Sequence, residues 1–230
     1  MKRVCILLLS AILLCCAGCG ASRETVVTPP SRIGTERVEV AKIQLPGYSL
    51  EDAYRASTAV AHVKVGNWLG GTEDHGDLHF TYYEVSTVKS FKGDLPEKFV
   101  LVQYGDTKVT WIDYPLYTSG DELLVFLTPY GFYDEPENVS RENTYRLLND
   151  FASVLNAAFD KAGNVYYIDS YGSLGRFTDL PRQNSNDKVF NAVREDLTAR
   201  DSVIAQTAFQ YPFYIYSGVD VEQLFMSIVE

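Results

Sequence analysis

The middle of this chain alternates between apolar and polar residues, a period of two that predicts β-strands. Segment 59–65 is apolar at every second position, which is typical of a strand with one buried face. Segment 78–91 predicts a long strand, and the change of apolar phase along it predicts a β-bulge. A further strand is predicted at 98–104. Segment 123–127 is apolar throughout, the pattern of a strand that is buried on both faces.

Helical spacing appears on either side of these strands. Ser49 is the predicted N-cap of a short helix whose apolar residues within 50–54 share one face. Later in the chain, apolar residues recur at helical spacing over 187–200 and again from Asp220 onward. We therefore expect helices at both ends of the β-rich region.

Two further segments complete the predicted fold. Residues 160–164 have the composition of a hairpin turn. The aromatic segment 209–216 contains Pro212, which favours an edge strand. Together these elements predict a mainly β fold, α+β overall, in a single domain over 48–230 that becomes helical towards 187–230.

Residues 1–18 have the composition of an export signal. Lys2 and Arg3 give a basic start, and an apolar run over 4–16 follows that is broken only by Ser10. At about 1.5 Å per residue, this run is too short for a bilayer core of about 30 Å, so it does not predict a transmembrane helix. The pattern indicates a protein that leaves the cytoplasm.

Segment 16–19, with the sequence Cys-Ala-Gly-Cys, resembles the lipobox of bacterial lipoproteins. In that family a diacylglyceryl group is joined to the cysteine sulfur, and the chain is cut immediately before this residue. The resemblance implies lipidation of Cys19 and attachment at the extracytoplasmic face of the cell membrane. The following residues contain Pro29 and Pro30 and show no sustained period, so we expect a flexible tether over 19–47. Two acyl chains give stable attachment. The alternative is an ordinary signal peptide that is cut elsewhere and leaves a free protein.

Charge and cysteine content narrow the choice of partners. The net charge is −10, which disfavours nucleic acid because phosphate contacts supply most of the affinity there. The same charge disfavours anionic lipid head groups. All four cysteines lie at or before Cys19. The exported domain therefore has no disulfide and no catalytic or metal-binding thiol, and we expect no cofactor.

The succession of elements over 50–127 resembles a module of exported bacterial proteins that is similar to the OB-fold and to the netrin-like domain of metalloproteinase inhibitors. Its motifs are Phe-Lys-Gly at 91–93, which ends a long strand, and Tyr-Thr-Ser-Gly-Asp at 117–121, which precedes the apolar strand. The resemblance implies a small five-stranded barrel, here completed by C-terminal helices. OB-folds often bind oligonucleotides or oligosaccharides, and the acidic charge favours the sugar. Animal netrin-like inhibitors use disulfides and a free cysteine amine for zinc chelation, so a lipidated Cys19 does not permit their mechanism.

Segment 73–79 concentrates potential metal ligands. The candidates for binding a divalent ion are His75, Asp77 and His79. Their spacing matches no established ligand pattern, and the segment lies where a hairpin is predicted to turn. We therefore expect a solvated acidic tip without a metal.

Aromatic residues make up 13% of the chain, a share that serves either a barrel core or a surface that stacks on sugar rings. Packing inside the barrel is the more conservative interpretation for each of them. The candidates for ligand stacking are Trp68, Trp111, Tyr114, Tyr117, Tyr211 and Tyr214.

Familiar enzyme motifs are missing from the sequence. It has no G-x-S-x-G, no H-E-x-x-H and no phosphate-binding loop, and a Ser-His-Asp site would have to use His62, His75 or His79. We therefore expect a binding module that is not an enzyme, with a glycan, an envelope component or a protein as its ligand. Two alternatives stay open. One is an envelope hydrolase with paired Asp or Glu carboxylates; the other is a protein inhibitor or adhesion module, which an exposed apolar patch would mark.

Overall fold

The computed structural model describes residues 37–39, 47–72, 79–106, 109–111, 114–131, 139–149, 152–200, 202 and 213–229. The strands in these ranges are β1 (Arg37–Glu39), β2 (Ala59–Thr72), β3 (Phe80–Lys92), β4 (Lys98–Tyr104), β5 (Val109–Trp111), β6 (Glu122–Pro129), β7 (Thr144–Leu147), β8 (Val154–Phe159), β9 (Val165–Asp169) and β10 (Tyr214–Ser217). The helices are α1 (Leu50–Ala56), α2 (Asp187–Ala199) and α3 (Gly218–Val229). The predicted mainly β fold with an α+β layout is confirmed.

Five of these strands close into a barrel. β2 pairs with β3, β3 with β4, and β6 with both β2 and β7, all in the antiparallel sense. Parallel pairing of β4 with β7 closes the ring. The small five-stranded barrel expected from the sequence is therefore present.

Strand β6 also carries the sheet beyond the barrel. Its first residues pair with β8, and the sheet continues antiparallel through β9 to β10. Every residue of segment 123–127 is fully buried, as predicted. Leu123, Val125 and Leu127 point into the barrel, whereas Leu124 and Phe126 point into the cluster outside it.

The barrel interior is filled with side chains. Its buried members come from β2, β3, β4, β6, β7 and β8 and from the segment that precedes β6: Ala59, Ala61, Val63, Val65, Tyr83, Val85, Phe99, Leu101, Tyr114, Tyr117, Leu123, Val125, Leu127, Leu147 and Val154.

The three helices pack outside the barrel. The ring of Tyr54 on α1 stacks on Phe225 of α3 with centroids 4.6 Å apart, and Phe225 also contacts Phe91 and Phe126. α2 packs on the other face of the extended sheet, where its apolar residues meet Ala158 and Ile168. The start of α1 is as predicted, because the Ser49 side chain caps it by accepting a hydrogen bond from the backbone N–H of Asp52 at 3.0 Å.

One detail of the β2 prediction was wrong, whereas the bulge predicted in β3 is confirmed. β2 is not buried on one face alone, because Val60 and His62 on its outer face are 0% and 5% exposed. The outer cluster that includes Phe225 covers Val60. In β3, the apolar phase changes because both faces are buried: Tyr83 lies in the barrel interior, and Tyr82 lies in a separate outer cluster. Register shifts in the pairing of β3 with β2 leave Val88 and Phe91 of β3 without a paired residue, as a bulge does, while the pairing of β3 with β4 is continuous.

The predicted edge strand lies at the edge of the sheet as β10, and the preceding residues 203–212 lie outside the described ranges. Its outer edge is covered by the segment before α2. The N–H of Gln183 donates to the Ile215 carbonyl at 2.8 Å, and the Ile215 N–H donates to the side chain of Asn184 at 3.0 Å. These bonds satisfy backbone groups that would otherwise be open to another strand.

The motif at 91–93 fastens α1 to the barrel. The Nζ atom of Lys92 donates to the carbonyls of Tyr54, Arg55 and Ser57 at 2.7, 3.0 and 2.7 Å. A cation in this position satisfies the unpaired carbonyls at a helix C-terminus. Gly93 follows with φ +73°, and a Cβ there would approach the Thr58 carbonyl oxygen to 2.8 Å. The motif is therefore a structural joint.

Replacing Lys92 should weaken this joint. We expect Lys92→Met to lower the free energy of unfolding by about 2 kcal/mol, because three carbonyl groups lose a charged hydrogen-bond donor. Urea unfolding monitored by circular dichroism measures the change. Lys89→Met is the matched control: Lys89 is 46% exposed and pairs with Glu222, so its loss should cost less than about 1 kcal/mol. Equal effects of the two substitutions would contradict the structural role of Lys92.

Candidate functional site

His62 lies at the centre of a buried polar cluster outside the barrel. Its Nε2 atom is 2.9 Å from Oε2 of Glu122, and its Nδ1 atom is 3.4 Å from the hydroxyl of Tyr167. The rings of Phe159 and Tyr167 flank the imidazole, with centroids 6.2 and 5.7 Å away. With a proton on Nε2, His62 donates to Glu122.

The charges around Glu122 favour its ionised form. The hydrogen bond from His62 lowers the pKa of the Glu122 carboxyl, and the charges of His62, Lys64 and Arg200 add to this effect against the opposing effect of burial. Lys64 Nζ lies 3.7 Å from Oε1 of Glu122. The cluster therefore joins β2 to β6 by a charge-assisted hydrogen bond.

Arg200 and Tyr167 enclose this cluster. A guanidinium nitrogen of Arg200 donates to the Ala157 carbonyl and to Asp196, both at 2.6 Å. Burial raises the pKa of the Tyr167 hydroxyl, so this group remains protonated. The cluster thus holds together strands β2, β6, β8 and β9 and the end of α2.

His79 forms a second pair with a carboxylate, at one end of the barrel. Its Nδ1 atom lies 2.9 Å from Oδ2 of Asp106, and the two side chains are only 13% and 9% exposed. Two hydrogen bonds hold the segment of Asp106 next to that of His79. The Gly105 N–H donates to the His79 carbonyl at 2.7 Å, and the Thr81 hydroxyl donates to the Gly105 carbonyl at 2.7 Å. A carboxylate on Nδ1 orients an imidazole so that Nε2 can accept a proton or bind a metal ion.

The prediction of a solvated tip without a metal over 73–79 is not tested, because most of this segment lies outside the described residues. His79 is placed beside Asp106, but His75 and Asp77 lie outside the described residues. Among the residues that are described, no three His, Cys, Asp or Glu side chains are grouped to hold an ion. Asp106 is the partner that sequence reading missed, because no local pattern connects it with His79.

Three of the candidate stacking aromatics belong to the barrel core or pack against it. Tyr114 and Tyr117 are 5% and 4% exposed, and their hydroxyl oxygens are 2.6 Å apart. Burial raises the pKa of Tyr117. Trp68 is partly buried against the same interior cluster. These rings serve packing in this structure.

The remaining candidates lie at or beyond the limits of the described side chains. Tyr214 on β10 is partly buried, and the Arg182 guanidinium lies 4.1 Å from its ring centroid. Trp111 belongs to β5, but its side chain is not described, and Tyr211 and the predicted lipidation site Cys19 lie outside the described residues.

Asp169 organises a loop that sequence reading did not identify. Its fully buried carboxylate accepts hydrogen bonds from the backbone N–H groups of Leu174 at 2.8 Å and Gly175 at 2.6 Å, and longer ones from Tyr171 and Ser173. Burial raises the pKa of Asp169, while these donors act in the opposite direction. The sequence signal was available: an Asp followed by a loop rich in Gly and Ser is typical of side-chain-capped turns.

Five large apolar side chains are more than half exposed on the described surface. Three belong to α3, and the other two belong to β3 and to the turn after β9; they are Val88, Phe177, Val219, Met226 and Val229. Sequence reading identified only the buried apolar face of α3. Val219 and Met226 lie on a different side of α3 from Val221 and Phe225. Together with Val229, they fall outside the apolar pattern that predicted the helix, and only the structure shows that they are exposed.

Comparison with known proteins does not assign the chain to a family. No family model matches it, and a search of curated proteins found no similar sequence. Within the described ranges, no helix has the length and apolarity needed to cross a bilayer.

Removing the Glu122 carboxylate should change how stability depends on pH. Its pKa in the folded state lies below the ordinary value of 4.5. Its stabilising contribution is therefore complete above that value and is lost as the pH falls through the folded value. We expect Glu122→Gln to lower the unfolding free energy by about 1–3 kcal/mol at pH 7 and to flatten its decline below about pH 4.5.

Urea unfolding at a series of pH values between about 3 and 7 measures this effect. Glu195→Gln is the control for the loss of one acidic charge, since Glu195 is 65% exposed on α2. An acid-side decline as steep in Glu122→Gln as in the wild type would refute the role assigned to the His62–Glu122 pair.

Proposed function

We propose that this protein is a lipid-anchored binding module at the extracytoplasmic face of the cell membrane, and that its ligand is another protein. The lipobox-like segment 16–19 supports the anchor. Because β1 pairs with β5 inside the stretch expected as a tether, the tether would be the segment 20–36, with a reach of about 20–25 Å. The domain then acts at a distance from the bilayer, where a partner has access to its outer surface.

The presence of exposed apolar side chains on a domain with a filled barrel carries this proposal. The interior of the barrel is occupied by its own side chains, so a ligand has to be recognised on the outside. Val219, Met226 and Val229 are exposed together on one helix. Several exposed apolar side chains on one helix are a feature of interaction surfaces.

The placement of the aromatic side chains favours a protein over a glycan as the ligand. Sugar binding needs open aromatic faces, but Tyr114 and Tyr117 are buried and Arg182 covers one face of Tyr214.

We also extend the barrel assignment to a netrin-like relationship on the motifs at 91–93 and 117–121. In the second motif the Thr118 N–H donates to the Asp121 carboxylate at 2.8 Å, which forms the turn that leads into β6.

Mutation of Cys19 tests the anchor. We expect Cys19→Ala to move the protein from the membrane fraction to the soluble fraction, because the thiol is the acceptor for the lipid. Cell fractionation followed by immunoblotting measures the distribution. Cys15→Ala is the matched control and should stay with the membrane, since this residue belongs to the segment that would be removed. Retention of Cys19→Ala in the membrane fraction would contradict the anchor.

A thermal-shift screen of the full-length chain in detergent tests the ligand class. The panel contains wall glycans, oligosaccharides, Zn²⁺ and detergent-solubilised envelope proteins in separated fractions. A ligand at a hundred times its dissociation constant stabilises the native state by about 2.7 kcal/mol, and we expect this shift only with protein fractions. A shift with a glycan would replace the proposed ligand class, and a shift with Zn²⁺ that His79→Gln abolishes would favour a metal site. Hydrolysis of a wall polymer that one Asp or Glu substitution abolishes would favour the hydrolase alternative.

A further inference from the structure

β1 fastens the chain to the domain before the chain enters it. Arg37–Glu39 pair in parallel with Val109–Trp111 of β5, and no other described strand pairs with either of them. The resulting two-stranded sheet is separate from the eight-stranded sheet that contains the barrel. β1 lies between Cys19, the proposed point of attachment to the membrane, and the domain. Tension on the anchor would therefore act on this small sheet first.

The β1–β5 pair has few interactions to hold it closed. Each of its strands has 3 residues, whereas β2 has 14, and parallel pairing is slightly less stable per residue than antiparallel pairing. A sheet of only two strands is marginally stable on its own. Val38 is the single apolar residue of β1, so this strand can bury little apolar surface. We therefore expect β1 to open far more readily than the strands of the barrel.

The chain is held more firmly where α1 begins. A Cβ atom on Gly47 would collide with the ring of Phe177, so the backbone passes directly against that ring. Leu50 is fully buried, and its N–H donates to the Thr178 hydroxyl at 2.9 Å. Opening of β1 therefore leaves the domain intact from Gly47 onward.

Opening of β1 lengthens the connection to the membrane without unfolding the domain. With β1 paired, the chain that can extend is segment 20–36, which spans at most about 60 Å at about 3.3–3.6 Å per residue. With β1 released, the chain can extend as far as residue 46 and spans at most about 95 Å. We propose that β1 is a releasable clasp that stores chain length between the anchor and the domain, and that its opening adds about 35 Å to the maximum reach. This inference rests on the proposed anchor and adds a way of regulating it.

The connection from β1 to Gly47 favours pairing within one chain. Residues 40–46 span at most about 25 Å, so β1 stays close to β5 of its own chain after it opens. A segment held nearby rebinds at a high effective concentration, which a second copy of the chain would have to exceed. The clasp should therefore close again within the same molecule when tension is removed.

A disulfide across the clasp tests the pairing. Val38→Cys is combined with Thr110→Cys in the full-length protein, because these two residues are paired and neighbouring strands lie about 4.8 Å apart, within the range that a disulfide bridges. All natural cysteines lie at or before Cys19, so lipidation and cleavage leave no other thiol. We expect a disulfide within one chain on mild oxidation, and none when Val38→Cys is combined with Thr128→Cys on β6. No disulfide in the first variant, or one that joins two copies, would overturn the proposal.

Hydrogen exchange of the full-length protein in detergent measures how readily the clasp opens. We expect the amides of 37–39 to exchange at least about a hundredfold faster than those of 123–127 in the wild type, and the disulfide to slow them at least about tenfold. Protection of β1 equal to that of β6 would identify a permanent joint and overturn the proposal. Exchange that the disulfide leaves unchanged would also overturn it.

Magnetic tweezers measure the added reach. The lipidated protein is held in a supported bilayer and pulled by a tag at its C-terminus. We expect a reversible extension of about 35 Å below the force that unfolds the barrel, absent from the oxidised double-cysteine variant and restored by reduction. No such step in the wild type, or a step that persists in the oxidised variant, would overturn the clasp. A protein that the bilayer does not hold would overturn the anchor and the role of the clasp with it, while the disulfide and exchange results still decide whether β1 pairs and opens.

Discussion

Strand β6 is the element on which both halves of this domain depend, because it pairs with strands on both of its edges and is covered on both of its faces. One edge pairs with β2 along 122–127. The other edge pairs first with β8 and then with β7. The change of partner occurs at Phe126, whose N–H donates to the Ser153 carbonyl while its own carbonyl accepts from Leu148. This branch lets one apolar strand complete a barrel and begin an open sheet, and its two faces contribute to the separate cores of the two parts.

Several polar residues that look suited to chemistry are instead committed to holding these parts together. Lys92 satisfies the end of α1, Asp169 organises the loop after β9, and Glu122 joins β2 to β6 through His62. Each of these groups is wholly or partly removed from water, where an unsatisfied charge would be costly. Their sequence motifs therefore say more about how the domain is built than about what it binds.

Local signals predicted the elements of the fold better than they predicted the contacts between them. The Ser49 cap, the apolar strand at 123–127 and both later helices follow from neighbouring residues alone. The parallel closure of β4 on β7 has no local signal, because the two strands are brought together by the rest of the barrel. Burial of Val60 depends in part on Phe225, which lies far along the chain. The same limit applies to the candidate sites: the imidazole of His79 was identified from sequence, but its partner Asp106 comes from a distant segment.

The covered edge of β10 bears on how closely copies of the domain can be packed on a membrane without strand pairing between them. Anchoring confines copies of a domain to two dimensions, where encounters are frequent and an open strand would template one copy onto the next. Barrel closure leaves β10 as the end of the described eight-stranded sheet, and Gln183 and Asn184 already occupy the backbone groups of Ile215 there. On the proposed membrane anchor, the described edge of β10 would therefore not template a neighbouring copy, because the backbone of Ile215 is already paired within its own chain.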